Sequence, residues 1–185
     1  MKRLLHVDFE TYCDIDVREV GAQAYARHKS CQVLMMAWAW DDEEPQLWVP
    51  DGPWDYESFP EDVWTFLCNS GNLVAHNVEF EYNIFWHVLD LELRLSQLHD
   101  TAALALINAY PKSLAGAASA IGLELQKDKR GQYLIRKFCT PRKPTKTRPW
   151  PRNYPEEFPE DWQDFQAYCL QDVRVEQQIW HRFIK

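Results

Sequence analysis

The chain has 185 residues, 46% of them apolar, and a net charge of −8. That length and apolar content suit one folded domain, residues 1–185, and exclude a disordered chain; the charge excludes a protein coated in basic surface. The five cysteines (Cys13, Cys31, Cys68, Cys139, Cys169) are odd in number and lack a C-x-x-C pair, so they read as reduced thiols rather than a disulfide framework or a zinc site.

Residues 3–10 (RLLHVDFE) predict a buried strand. A strongly apolar strand follows at 32–40, then a turn at 41–44 and a shorter strand at 46–49. Residues 57–70 predict a helix with Phe59, Val63, Phe66 and Leu67 inward, stopped by Gly71. A short strand at 72–76 leads to a helix capped by Asn77 and running to about Leu89. Two alanine-rich helices, 101–110 and 113–121, break at Pro111, and Asp100 is placed to cap the first. Helical spacing returns at 132–138, residues 139–159 read as loop, and a last helix runs from about Pro159 to Phe183. Strands first and helices covering them indicate α/β. The expected sheet is a three-strand antiparallel meander with the 72–76 strand parallel to the first. No internal repeat, signal peptide or long apolar run is present.

Charge is uneven along the chain. Residues 127–148 hold nine Lys or Arg against one acid, Asp128, which makes that segment +8 and the rest −16. Such a strip is a candidate for phosphate contact; a solvated loop explains it equally well.

Three acidic constellations stand where acids are costly. On the first strand, alternation puts Leu5, Val7 and Phe9 on one face and His6, Asp8 and Glu10 on the other. Two carboxylates two residues apart, roughly 6.5–7 Å at Cα, need a partner if that strand is central. In the last helix, Phe165, Cys169, Asp172, Ile179 and Phe183 share a face. Asp172 lies four residues after Tyr168, so the two side chains can meet. Third, Ala75–Glu81 (AHNVEFE) joins a strand end to a helix start, where ligand sites of open α/β sheets gather. Glu79 and Glu81 are about 200° apart on the helix, so at most one faces inward.

Taken together, D-x-E (Asp8, Glu10), N-x-x-[FY]-acid (Asn77, Phe80, Glu81) and Y-x-x-x-D (Tyr168, Asp172) resemble the three motifs of the DEDD exonuclease superfamily, in the branch that uses tyrosine. DFETY at 8–12, GAQAYARH at 21–28, AHNVEFE at 75–81, the 128–147 stretch and AYCLQDVRVE at 167–176 look like the proofreading exonuclease domain of bacteriophage and prophage family-A DNA polymerases. The resemblance covers nearly the whole chain. Glu81 departs from it, because the wider superfamily has Asp there.

The resemblance implies an RNase H-like mixed sheet flanked by helices. It also implies 3′→5′ release of nucleoside 5′-monophosphates from single-stranded DNA, assisted by two divalent cations, Mg²⁺ or Mn²⁺. Asp8 then contacts both ions, Glu10 and Asp172 complete the first site, Glu81 serves the second, and Tyr168 orients the attacking water. Phe9, Thr11, Asn77 and Phe80 match positions that contact the terminal nucleotide, and Lys143 and Lys146 would hold the backbone. Phe9 and Phe80 read equally as core. The expected partners are a single-stranded 3′ end and a DNA polymerase domain or subunit. The expected setting is the cytoplasm of a bacterial or phage-infected cell, away from membranes. A binding module that has lost catalysis and an RNA-trimming enzyme stay open on sequence alone.

Overall fold

The computed structural model describes residues 3–52, 56–123 and 129–184. The first strand is β1 (Leu4–Tyr12). Two short helices, α1 (Val17–Val20) and α2 (Ala22–Ala26), lead to β2 (Gln32–Trp40) and β3 (Gln46–Trp48). Next come α3 (Glu61–Cys68), β4 (Asn72–Ala75) and α4 (Glu79–His87), then β5 (Leu98–Asp100) and the helices α5 (Thr101–Ile107) and α6 (Leu114–Ala120). The chain continues through α7 (Lys129–Phe138) into the long α8 (Pro159–Ile184).

The five strands form one mixed sheet in the order β3-β2-β1-β4-β5. β1 pairs antiparallel with β2, and β2 with β3, while β4 runs parallel to β1 and β5 parallel to β4. This is the mixed α/β arrangement expected from the sequence, and it is consistent with an RNase H-like fold.

Alternation along the central strands sorts the core into two layers. Leu5, Val7 and Phe9 of β1, with Val33, Met36 and Trp38 of β2, pack against Val63, Leu67, Ile84 and Phe85 of α3 and α4. Tyr12, Met35, Ala37 and Ala39 face the other way, against Phe165, Cys169 and Val173 of α8. The small alanines of β2 let α8 lie close to the sheet, and all nine residues of β2 are buried. The β1–β2 register shifts between Glu10 and Thr11. Bulges of this kind re-aim side chains beside functional sites.

Most predicted elements are present, and the differences have physical causes. α3 begins at Glu61 because Pro60 occupies the cap position. α7 begins at Lys129, ahead of the expected 132, because Gly131 hides a helix that packing stabilises. Asn77 is not a helix cap. It adopts φ 70°, and α4 starts two residues later with Val78 at its cap. Asparagine suits both roles, since it is also one of the residues that tolerate the left-handed region. β5, α1 and α2 were not expected; each has five residues or fewer, too few to carry a period. Lys127 and Asp128 of the basic strip lie outside the described residues. No described helix is long and apolar enough to cross a membrane.

Candidate active site

Three elements bring the acidic constellations to one place. β1 supplies Asp8 and Glu10 from the face that packs on α8. There Cys169 donates its thiol to Asp8 Oδ2 at 3.6 Å, and Cys139, just beyond α7, donates to Glu10 Oε2 at 3.5 Å. α4 supplies Glu81, which is 4% exposed, while Glu79 points to solvent, so only one of that pair turns inward. α8 supplies Tyr168 and Asp172, joined by a side-chain hydrogen bond.

The electrostatics record the crowding. Burial, then the charge of Glu176, pushes Asp8 up to about 7. Burial, with Asp8, Asp172 and Glu81 nearby, lifts Glu10 well above the carboxylate range. Burial and the neighbouring Asp8 and Glu176 do the same to Glu81. Tyr168 is also raised by burial and by Asp172, so it remains a phenol at neutral pH. Glu81 Oε2 is buried without a hydrogen-bond partner.

Sequence reasoning missed a fifth acid. Glu176 is 2% exposed, and its Oε1 lies 2.8 Å from Nδ1 of the fully buried His6. It also accepts the backbone N–H of His76 at the end of β4. Burial lowers His6 to about 4 and raises Glu176, so both members of this pair are pushed toward their neutral forms. Glu176 therefore links α8 to β1 and β4, the elements that carry or adjoin the other acids. The signal was its place four residues after Asp172, on the inward stripe of α8.

The other expected site residues are less alike. Phe9 is a core ring, 4% exposed and edge-on to Phe85 at 5.0 Å. Thr11 shares a 2.9 Å hydrogen bond with the Tyr25 hydroxyl. Phe80 is half-buried against Tyr25. Asn77 donates its backbone N–H to Asp100 Oδ1 at 2.9 Å, and the same oxygen caps α5, so Asp100 is a structural acid as expected. Lys143 and Lys146 are exposed. The basic strip is partly spent on the fold: Arg130 and Lys137 both pair with Asp161, Arg130 also with Asp164 at 2.7 Å, and Arg148 with Glu157 at 3.4 Å.

The donor set suits a hard divalent cation such as Mg²⁺ or Mn²⁺, because its oxygens are carboxylates with no imidazole or thiolate required. The unpartnered oxygen of Glu81 also fits such an ion. Among the described residues, however, no three His, Cys, Asp or Glu side chains close into a ready cation cage.

The chain is 36% identical to a DNA polymerase of Bacillus phage SP02 over 186 aligned residues, which cover 99% of this chain. The chain spans 28% of that polymerase's length. The family B DNA polymerase of the hyperthermophilic archaeon Pyrobaculum calidifontis shares the fold, with a TM-score of 0.59 over the whole chain at 15% identity. The match covers 25% of that polymerase chain. No protein-family model matches.

Two outcomes follow from this geometry. A folded-state carboxyl held above its unfolded value takes stability away as it ionises, so its contribution is present at acid pH and lost as pH rises through the folded value. The buried histidines act in the opposite sense, but only below about pH 6.5. In EDTA, therefore, the melting temperature should fall between pH 6.5 and 8, the range through which Asp8 at about 7 ionises, and Asp8→Asn should flatten that fall. A melting temperature that rises or stays level over that window in EDTA contradicts the crowding.

Gly131 of α7 is the second case. A Cβ there would lie 2.2 Å from the Tyr168 ring. Gly131→Ala gains up to about 1 kcal/mol of helix propensity. Overpacking costs about 1–3 kcal/mol. The variant should melt lower than the wild type; an equal or higher melting temperature contradicts the close approach.

Proposed function

We propose that the chain is a metal-dependent 3′→5′ exonuclease that removes nucleoside 5′-monophosphates from single-stranded DNA ends, in the proofreading service of a DNA polymerase. The observation that carries this reading is the convergence of Asp8, Glu10, Glu81 and Asp172 from three elements into one buried acidic site. Such a gathering of carboxylates is costly for the fold alone. The phage polymerase relative supports the biological setting, since its similarity runs through all but 1% of this chain.

Asp8, Glu10 and Asp172 would hold one divalent cation, with Asp8 and Glu81 serving a second. Bound there, such ions supply charge neutralisation on the phosphate and an acidified water. The chain's own groups do the remaining work. Tyr168, kept a phenol and tied to Asp172, presents a neutral hydroxyl that can hold a water by hydrogen bond without ionising. Glu176 and His6 hold α8 against β1, which keeps Asp172 within electrostatic reach of Glu10. Cys169 and Cys139 keep two of the carboxylates oriented through their thiols. Phe80, half-buried next to Glu81, offers an apolar surface for the terminal base. Lys143 and Lys146 are free to meet backbone phosphates, which give sequence-independent affinity.

A second reading, a binding module without turnover, draws on the absence, among the described residues, of three His, Cys, Asp or Glu side chains already placed to hold an ion. One assay separates the two. A single-stranded DNA oligonucleotide labelled at its 5′ end is incubated with the protein and Mg²⁺ or Mn²⁺. The exonuclease reading expects a ladder shortening from the 3′ end, abolished by EDTA and reduced at least about 100-fold in Asp8→Ala, as loss of a group acting in the transition state implies. A strand that is bound but stays intact with both metals supports the binding module. A ladder that persists in Asp8→Ala contradicts the assigned site.

A further inference from the structure

Among the described residues, one buried cation of the basic loop lacks an ion pair, although the charge of Glu156 reaches it. Arg152 is 8% exposed, yet it forms no ion pair with a described carboxylate, and its Nε is buried without a hydrogen-bond partner. Its guanidinium lies between two tyrosine rings, 4.6 Å from the centroid of Tyr12 and 4.7 Å from that of Tyr154. Its neighbours differ. Arg130, Lys137 and Arg148 meet carboxylates, and Arg142 donates to the carbonyls of Lys143, Arg148 and Arg152.

The loop around Arg152 is fixed by hydrogen bonds. Arg142 N–H donates to the Pro151 carbonyl at 2.6 Å, Asn153 Nδ2 to the Lys137 carbonyl at 2.8 Å, and Tyr154 N–H to Glu157 Oε2 at 3.0 Å. The placement also bears on the acidic site. Tyr12 follows Glu10 by two residues on β1. Cys139, whose thiol reaches Glu10, lies within electrostatic reach of Arg152, as does Glu156.

A buried guanidinium without an ion pair is costly, and the tyrosine faces offset only part of that cost. A guanidinium fixed by stacking, with unused N–H donors, is the arrangement that recognises a phosphate oxyanion. From this geometry we infer that Arg152 is an anion-binding residue that grips a phosphate of the strand entering the carboxylate site. The inference rests on the exonuclease reading and adds a substrate contact at the Glu10 end of the site. It assigns Arg152 a role distinct from the exposed Lys143 and Lys146, because a stacked arginine fixes position as well as adding affinity.

The test is binding without cleavage. A fluorescent single-stranded oligo-dT is titrated with protein in EDTA across a range of NaCl, using wild type, Arg152→Gln and Arg152→Lys. Binding to Arg152→Gln should weaken about tenfold, as for loss of one charged hydrogen bond. Its slope of log affinity against log salt should fall by about 0.7, one single-strand phosphate contact. Arg152→Lys keeps the charge and hence the slope, but it loses the stacked fork and binds several-fold more weakly; it carries the test if Arg152→Gln does not fold. A parallel titration with dTMP separates two sources of the same phosphate chemistry. An effect on dTMP alone leaves Arg152 holding a phosphate, that of the released product.

Folded variants with wild-type affinity for both ligands and an unchanged slope overturn the inference and leave Arg152 as a stacking residue of the loop. If wild-type protein neither binds nor shortens the strand, the exonuclease reading fails first. If the wild type does both and the variants match it, only the Arg152 assignment falls.

Discussion

The structure turns on the cost of gathering carboxylates in a place with little water. Asp8, Glu10, Glu81 and Glu176 are all held above the ordinary carboxylate range, each first by burial and then by one another or by neighbouring acids. Nothing in a globular core requires this. Apolar side chains of the same size at these positions would pack without penalty. The fold nonetheless sends β1, α4 and α8, which are far apart in sequence, to meet at these groups. It then spends further interactions on holding them: two thiols, a phenol, a buried imidazole and a backbone N–H. A cation with a phosphate, brought from outside, is the charge that the proposed function assigns to these donors.

Much of this was legible in the sequence because β-strand and helix periods are strict. Period two in LLHVDFE put Asp8 and Glu10 on one face before any contact was known, and that face packs on α8. Helical geometry allowed only one of Glu79 and Glu81 to turn inward, and the four-residue step joined Tyr168 to Asp172. The placement of four of the five strands followed from the meander and the parallel return strand, while β5 was not foreseen.

What stayed illegible depends on tertiary placement. Asn77 has the same residue preference whether it caps a helix or sits at positive φ, and only the backbone decides. Glu176 carried a signal, its position one turn after Asp172, but a glutamate near the end of a helix reads first as a solvated residue. Arg152 had none, because a Pro-rich loop has no period and burial within it depends on which strand the loop lies against. Gly131 weakens the pattern of α7, yet the close approach to Tyr168 requires it. The basic strip shows the same limit: composition counted its charges, and only the structure distinguished those tied to Asp161, Asp164 and Glu157 from those facing solvent.

The central claim is that the raised carboxylates exist to receive divalent cations, and proton release on binding tests it most directly. Cation binding must strip protons from carboxyls that hold them near neutral pH. Mn²⁺ is titrated calorimetrically into metal-free protein at pH 6.5 in two buffers of different ionisation heat. The account predicts binding of about two ions per chain, with a heat that differs between the buffers in proportion to the protons released, and with that difference reduced in Asp8→Asn. Absence of saturable binding, or a heat identical in the two buffers, contradicts it.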